Sequence, residues 1–126
     1  MRVGELSRTT GVSTRALRYY DQQGLLRATR TANGYRDYGD QAPDVVSFIQ
    51  DMFQAGLPSE VIRDILPCAV HDESYDEDDC DALMARVQAV RDELLRQEDR
   101  LRSRRETLDD YLGKIAAGEH VGKLPA

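Results

Sequence analysis

Apolar positions in the first half of the chain recur at helical spacing in short runs, and the glycines that interrupt them predict the element boundaries. Val3 and Leu6, with Val12 following, give a short helix over Val3–Thr10 that Gly11 stops in the manner of a C-terminal glycine. Ser13 is placed to cap a second helix from Thr14 to about Gln23, with Ala16, Leu17 and Tyr20 inward and Arg15, Arg18 and Tyr19 outward. Two short helices about a glycine-containing turn form a helix-turn-helix. Leu25 and Leu26 then start a strand, and Asn33-Gly34 is a turn signal joining it to a second strand, Tyr35–Tyr38. A two-stranded ribbon beside a helix-turn-helix is a wing.

From Gln41 the helical spacing resumes in Val45, Val46, Phe48, Ile49, Met52 and Phe53, until Gly56 ends it. A fourth helix over Ser59–Leu66, with Val61, Ile62, Ile65 and Leu66 apolar, is expected to stop before Pro67. Residues 1–66 therefore read as one all-α domain with a small two-stranded wing and a second helix pair packed beneath. Residues 67–80 change character, being rich in acids and holding Cys68, His71 and Cys80, and read as a linker.

Residues 81–115 contain no Pro and, apart from Gly113, no Gly, so the sequence predicts a helix of about thirty residues, roughly 45–50 Å long. Its apolar residues fall in sevens, with Leu83 and Val90 on one seam position and Val87, Leu94, Leu101, Leu108 and Ile115 on the other. That is a coiled-coil seam, most economically filled by a second copy of the chain. Gln97 and Arg104 are polar seam positions that restrict register or orientation, and the residues themselves leave parallel and antiparallel pairing open. Residues 116–126 read as a flexible tail.

Composition adds little until the charge is divided along the chain. A 126-residue chain that is 40% hydrophobic and 32% charged suits a helix-leaning soluble protein. No apolar run approaches the roughly 18 residues of a membrane span, and no secretory signal is visible, so a cytoplasmic location and no membrane partner are expected. The net charge of −6 looks unfavourable for nucleic acid. Yet residues 1–40 hold seven arginines and no lysine against four acids, a balance of +3 that leaves −9 to the remainder. The positive charge sits on the helix-turn-helix and wing, in the residue type best shaped for phosphate and guanine.

The run RVGELSRTTGVSTRALRYYDQQGLL, followed by NGYRDY and by GLPSEVIRDIL, resembles the N-terminal domain of the MerR family of transcription regulators over about residues 1–66. The resemblance implies a winged helix-turn-helix, a second helix pair and a long helix that pairs antiparallel in a homodimer. It places Thr14, Arg15, Arg18 and Tyr19 on the recognition helix, Tyr20 at the second aromatic of the R-[YF]-Y motif, and Arg30, Tyr35, Arg36 and Tyr38 on the wing. Those positions are expected to meet double-stranded promoter DNA, with Arg36 and Tyr38 on the backbone. Leu83, Val87, Val90, Leu94, Leu101 and Leu108 are expected to dimerise. Transcription would then respond to distortion of the promoter spacer, with RNA polymerase engaged indirectly. The chain departs from the family pattern at Pro58, before the fourth helix, and in lacking the usual proline after Leu26. It also lacks cysteines beyond Cys80, where metal-sensing members carry a pair after the long helix.

The bland alternative for Arg15, Arg18 and Tyr19 is a solvated helix face, and the surrounding turn, cap and wing signals weigh against it. Cys68, His71 and Cys80 invite two effector readings, a metal ion or redox-active thiols. Their spacing matches no strong metal motif, no cofactor is required, and free thiols without a regulatory role are the plain reading. A protein-interaction adaptor, dimerising through its coil without regulating a promoter, is the rival from another class. Catalysis finds no support: there is no phosphate loop, no nucleophile set, and both histidines lie in loop segments.

Overall fold

The computed structural model describes residues 1–70, 76–122 and 124–125, with Asp78 described by its backbone alone. Among the described residues, five helices and one two-stranded sheet follow in the order α1 (Val3–Thr10), α2 (Thr14–Gln22), β1 (Thr29–Arg30), β2 (Arg36–Asp37), α3 (Ala42–Gln54), α4 (Ser59–Val70) and α5 (Glu77–Ala116). The chain divides into two compact units, Met1–Leu83 and Met84–Ala126. Among the described residues no helix is long and apolar enough to cross a membrane.

The first unit is built on one apolar core. Leu6 of α1, Leu17 of α2, Val46 and Ile49 of α3, and Ile62 of α4 are fully or almost fully buried. Leu25 and Leu26, expected to begin a strand, are instead buried in the turn after α2. Burial of two consecutive residues suits an irregular segment better than a strand, whose neighbours point to opposite faces. The strand begins only at Thr29 and pairs antiparallel with β2, Thr29 opposite Asp37 and Arg30 opposite Arg36.

Both ends of the expected 67–80 linker are helical. The helix α4 runs through Pro67 to Val70, so the proline lies inside its last turns rather than after its end. The long helix starts at Glu77, four residues ahead of the expected start, because Asp76 caps it: its Oδ1 accepts the Asp79 amide at 3.3 Å, and its carbonyl accepts the Cys80 amide at 2.9 Å. At 40 residues α5 is on the order of 60 Å long. Its surface carries ion pairs one turn apart, Glu93–Arg96 at 2.9 Å and Arg105–Asp109 at 2.9 Å, of the kind that supports an exposed helix by a few tenths of a kcal/mol each.

Candidate nucleic-acid interface

The turn between α1 and α2 is fixed by local hydrogen bonds. Gly11 takes a left-handed conformation, φ 75°, and its amide closes α1 on the Ser7 carbonyl at 2.8 Å. Ser13 Oγ accepts the Ala16 amide at 3.1 Å and starts α2. With Leu17 and Tyr20 buried, helical spacing leaves Arg15, Arg18 and Tyr19 exposed and Thr14 half-buried at the first turn. Tyr20 stacks on Phe53 of α3 with ring centroids 5.8 Å apart, and burial pushes its phenol above the ordinary tyrosine range. Its place is the core beneath the recognition helix.

The wing turns at Gly34, whose φ of 82° only glycine adopts at little cost, and the Thr31 and Tyr35 backbones close the turn at 2.8 Å. Arg30 and Arg36 stand exposed on the two strands, and Tyr35 at the tip is half exposed. The chain's amino terminus ties down the other end of the wing: the Met1 ammonium donates to Asp37 Oδ1 at 2.8 Å and to the Tyr38 carbonyl at 2.6 Å. The hydrogen bond to Asp37 holds that ammonium's pKa above its ordinary value.

One carboxylate joins wing to recognition helix. Asp21, at the end of α2, accepts Arg36 Nη1 on both oxygens, at 2.8 and 2.7 Å, and the Tyr38 hydroxyl at 2.8 Å. Tyr38 is 1% exposed: its ring is core, and its hydroxyl donates to Asp21. Burial first, then the hydrogen bond to Asp21, pushes its pKa up to about 12. Arg36 keeps half its side chain exposed while held in place by the pair.

Between α2 and the wing lies an open cleft lined by Arg2, Arg18, Asp21, Gln22, Arg30, Tyr35 and Arg36. The Arg2 guanidinium sits 4.0 Å over the Tyr35 ring, a cation–π contact that holds both against the cleft. Sequence reasoning missed Arg2 and Asp21 as parts of this surface. Arg2 was visible only as one of seven arginines, and Asp21 only as a lone acid among basic residues. Four arginines about one engaged carboxylate give the cleft a net positive charge.

The remaining expected residues fall elsewhere. Leu83 and Val87 on α5 are half-buried, whereas Val90, Leu94, Leu101 and Leu108 are exposed. Cys68 and Cys80 are joined in a disulfide with Cα atoms 5.7 Å apart, so in this form neither offers a thiolate to a metal ion. His71 lies outside the described residues. Among the described residues no group of three or more His, Cys, Asp or Glu is placed to hold a metal.

A glycine-turned helix pair, a recognition helix with outward arginines and a locked arginine-bearing wing define a winged helix-turn-helix protein of the DNA-binding class. Residues 1–68 match the family described as MerR HTH family regulatory protein. The chain is 42% identical over 67 residues to the HTH-type transcriptional regulator HmrR of Sinorhizobium medicae (strain WSM419), covering 52% of this chain and 46% of that protein. It is 33% identical over 126 residues to the uncharacterized HTH-type transcriptional regulator PA4778 of Pseudomonas aeruginosa, covering 99% of this chain and 92% of that one. A crystal structure of a putative MerR family transcriptional regulator from Listeria monocytogenes superposes with a TM-score of 0.67 at 26% identity, covering 92% of this chain and 86% of the other. The chain belongs to the MerR family of transcriptional regulators. It spans about half the length of the first curated relatives it matches.

Proposed function

We propose that this chain binds double-stranded promoter DNA as a homodimer and regulates transcription by deforming the promoter. The carrying observation is the cleft between α2 and the wing, where Arg2, Arg18, Arg30 and Arg36 gather within a chain of net charge −6. In the complex, Arg15, Arg18 and Tyr19 enter the major groove, with Thr14 at the groove's rim. Arg30, Tyr35 and Arg36 lie along the adjacent backbone. Asp21 holds the wing at a fixed angle to α2, so groove and backbone contacts form together rather than one after the other.

The homodimer reading rests on α5. Leu101 and Leu108 are about 60% exposed and share one seam position with Leu94 and Ile115, an apolar stripe that a single chain leaves in water. Paired through it, two copies hold their readers at a fixed separation, and a half-site spacing that does not match must be made up by bending or untwisting the duplex. Such deformation costs on the order of 1–10 kcal/mol, which phosphate contacts from both copies offset. RNA polymerase then responds to the altered promoter geometry.

The test is fluorescence anisotropy with a duplex from the chain's own promoter region against a scrambled duplex, together with sedimentation of the free protein. The reading predicts a dimer that prefers the promoter duplex by at least about a thousandfold. Equal binding to both duplexes, or a monomer that binds neither, contradicts it. A dimer without duplex affinity would favour the interaction adaptor.

A further inference from the structure

The disulfide sits where α4 and α5 meet, and its position has a physical consequence that neither helix carries alone. Pro67 lies inside α4, where it removes one backbone hydrogen bond and crowds the Arg63 carbonyl, so the last turn through Val70 is poorly supported by its own ladder. Cys68, the next residue, is covalently tied to Cys80 in the capped first turns of α5. The bond thus holds a helical turn that local chemistry would end at Leu66.

We infer that Cys68–Cys80 is a reversible thiol switch, whose oxidised form keeps α4 helical to Val70 and whose reduced form releases that turn and changes promoter affinity. The inference rests on the regulator reading above. Cys80 is 7% exposed while Cys68 is half-buried, and an open cleft beside the pair is lined by Asp64, Pro67, Asp79 and Leu83. Cys68 is therefore the more exposed member of the pair and the half on which the exchange is written.

The exchange is balanced with a dithiol as reductant. Its thiolate attacks Cys68 Sγ, a mixed disulfide forms, and the Cys68–Cys80 bond breaks with the electron pair leaving on Cys80, which takes up a proton. The second thiol of the reductant, deprotonated, attacks the mixed disulfide at the reductant's own sulfur. Cys68 departs as a thiolate and is protonated, and the reductant leaves as a cyclic disulfide. Two electrons pass to the protein, and a small-molecule disulfide oxidant reverses the sequence.

The experiment uses the full chain in three forms: oxidised, reduced with dithiothreitol, and the variant Cys68→Ser/Cys80→Ser. Thiol alkylation with intact mass reads the bond, hydrogen exchange reads the amides of Ala69 and Val70, and anisotropy reads the promoter duplex. Expected are a disulfide in the oxidised form and at least about tenfold faster exchange at Ala69 and Val70 on reduction. Promoter affinity should shift at least about fivefold, with the serine variant matching the reduced form under both conditions. Failure of the thiols to pair under a disulfide oxidant overturns the switch, as does duplex binding that is present and equal in all forms. Duplex binding absent in every form overturns the regulator reading and this inference with it. If the serine variant fails to fold, wild type before and after dithiothreitol still decides the question.

Discussion

Replacing Tyr38 with Phe removes one hydroxyl and leaves the buried ring in place, which isolates the tie between wing and recognition helix. The lost bond runs to a carboxylate at 2.8 Å, and hydrogen bonds to charged groups contribute about 1.5–3 kcal/mol. Asp21 is not orphaned, since Arg36 still engages both of its oxygens, so no further desolvation cost is added. Tyr38→Phe should therefore destabilise the fold by about 2 kcal/mol, read as a lower urea midpoint by circular dichroism at fixed protein concentration. A second arm uses pH. The tyrosine titrates near 10.0 when unfolded and is pushed up to about 12 when folded, so its contribution is complete below pH 10 and is lost as pH rises through about 12. Two pH units correspond to about 2–3 kcal/mol, a loss that Tyr38→Phe should abolish. A variant within about 0.5 kcal/mol of the parent, with the same alkaline loss, would refute the reasoning.

Ser13→Ala removes the cap of α2 and should cost about 1 kcal/mol by the same urea assay, while Ser13→Asp should be close to neutral. Leu101→Asp puts a charge on the exposed seam of α5 and should dissociate the proposed dimer in sedimentation, with the thermal unfolding of residues 1–70 largely preserved. Arg18→Ala should weaken promoter binding by about 1–3 kcal/mol if the side chain reads a base, and relax the preference for promoter over scrambled duplex. Arg2→Ala loses only the contact over Tyr35 and a backbone-facing charge, so it should lower affinity for both duplexes alike.

Periodicity made the helices legible, because Leu6, Leu17, Val46, Ile49 and Ile62 lie on faces that their spacing already defined. Gly11, Ser13 and Gly34 acted through local backbone chemistry and so could be read locally. The wing was harder: Tyr35-Arg36-Asp37-Tyr38 has no apolar face to show which ring points inward. Burial of Tyr38 depends on Asp21, seventeen residues earlier, and on Met1, whose carbonyl accepts its amide. The end of α4 ran against a sound local rule, since Pro67 ordinarily stops a helix and a covalent tie twelve residues away is not written in the local pattern. Asp76 as the cap of α5 was hidden in a run of acids, any one of which has the chemistry to cap.

The central claim is that this acidic chain carries a local phosphate-binding surface, and the salt dependence of duplex affinity tests it most directly. With Arg2, Arg30 and Arg36 of each of two copies near phosphates, the logarithm of the association constant should fall against the logarithm of salt with a slope of about −5. Arg36→Ala should bring that slope to about −3.5. A slope near zero, or one that Arg36→Ala leaves unchanged, would contradict the account.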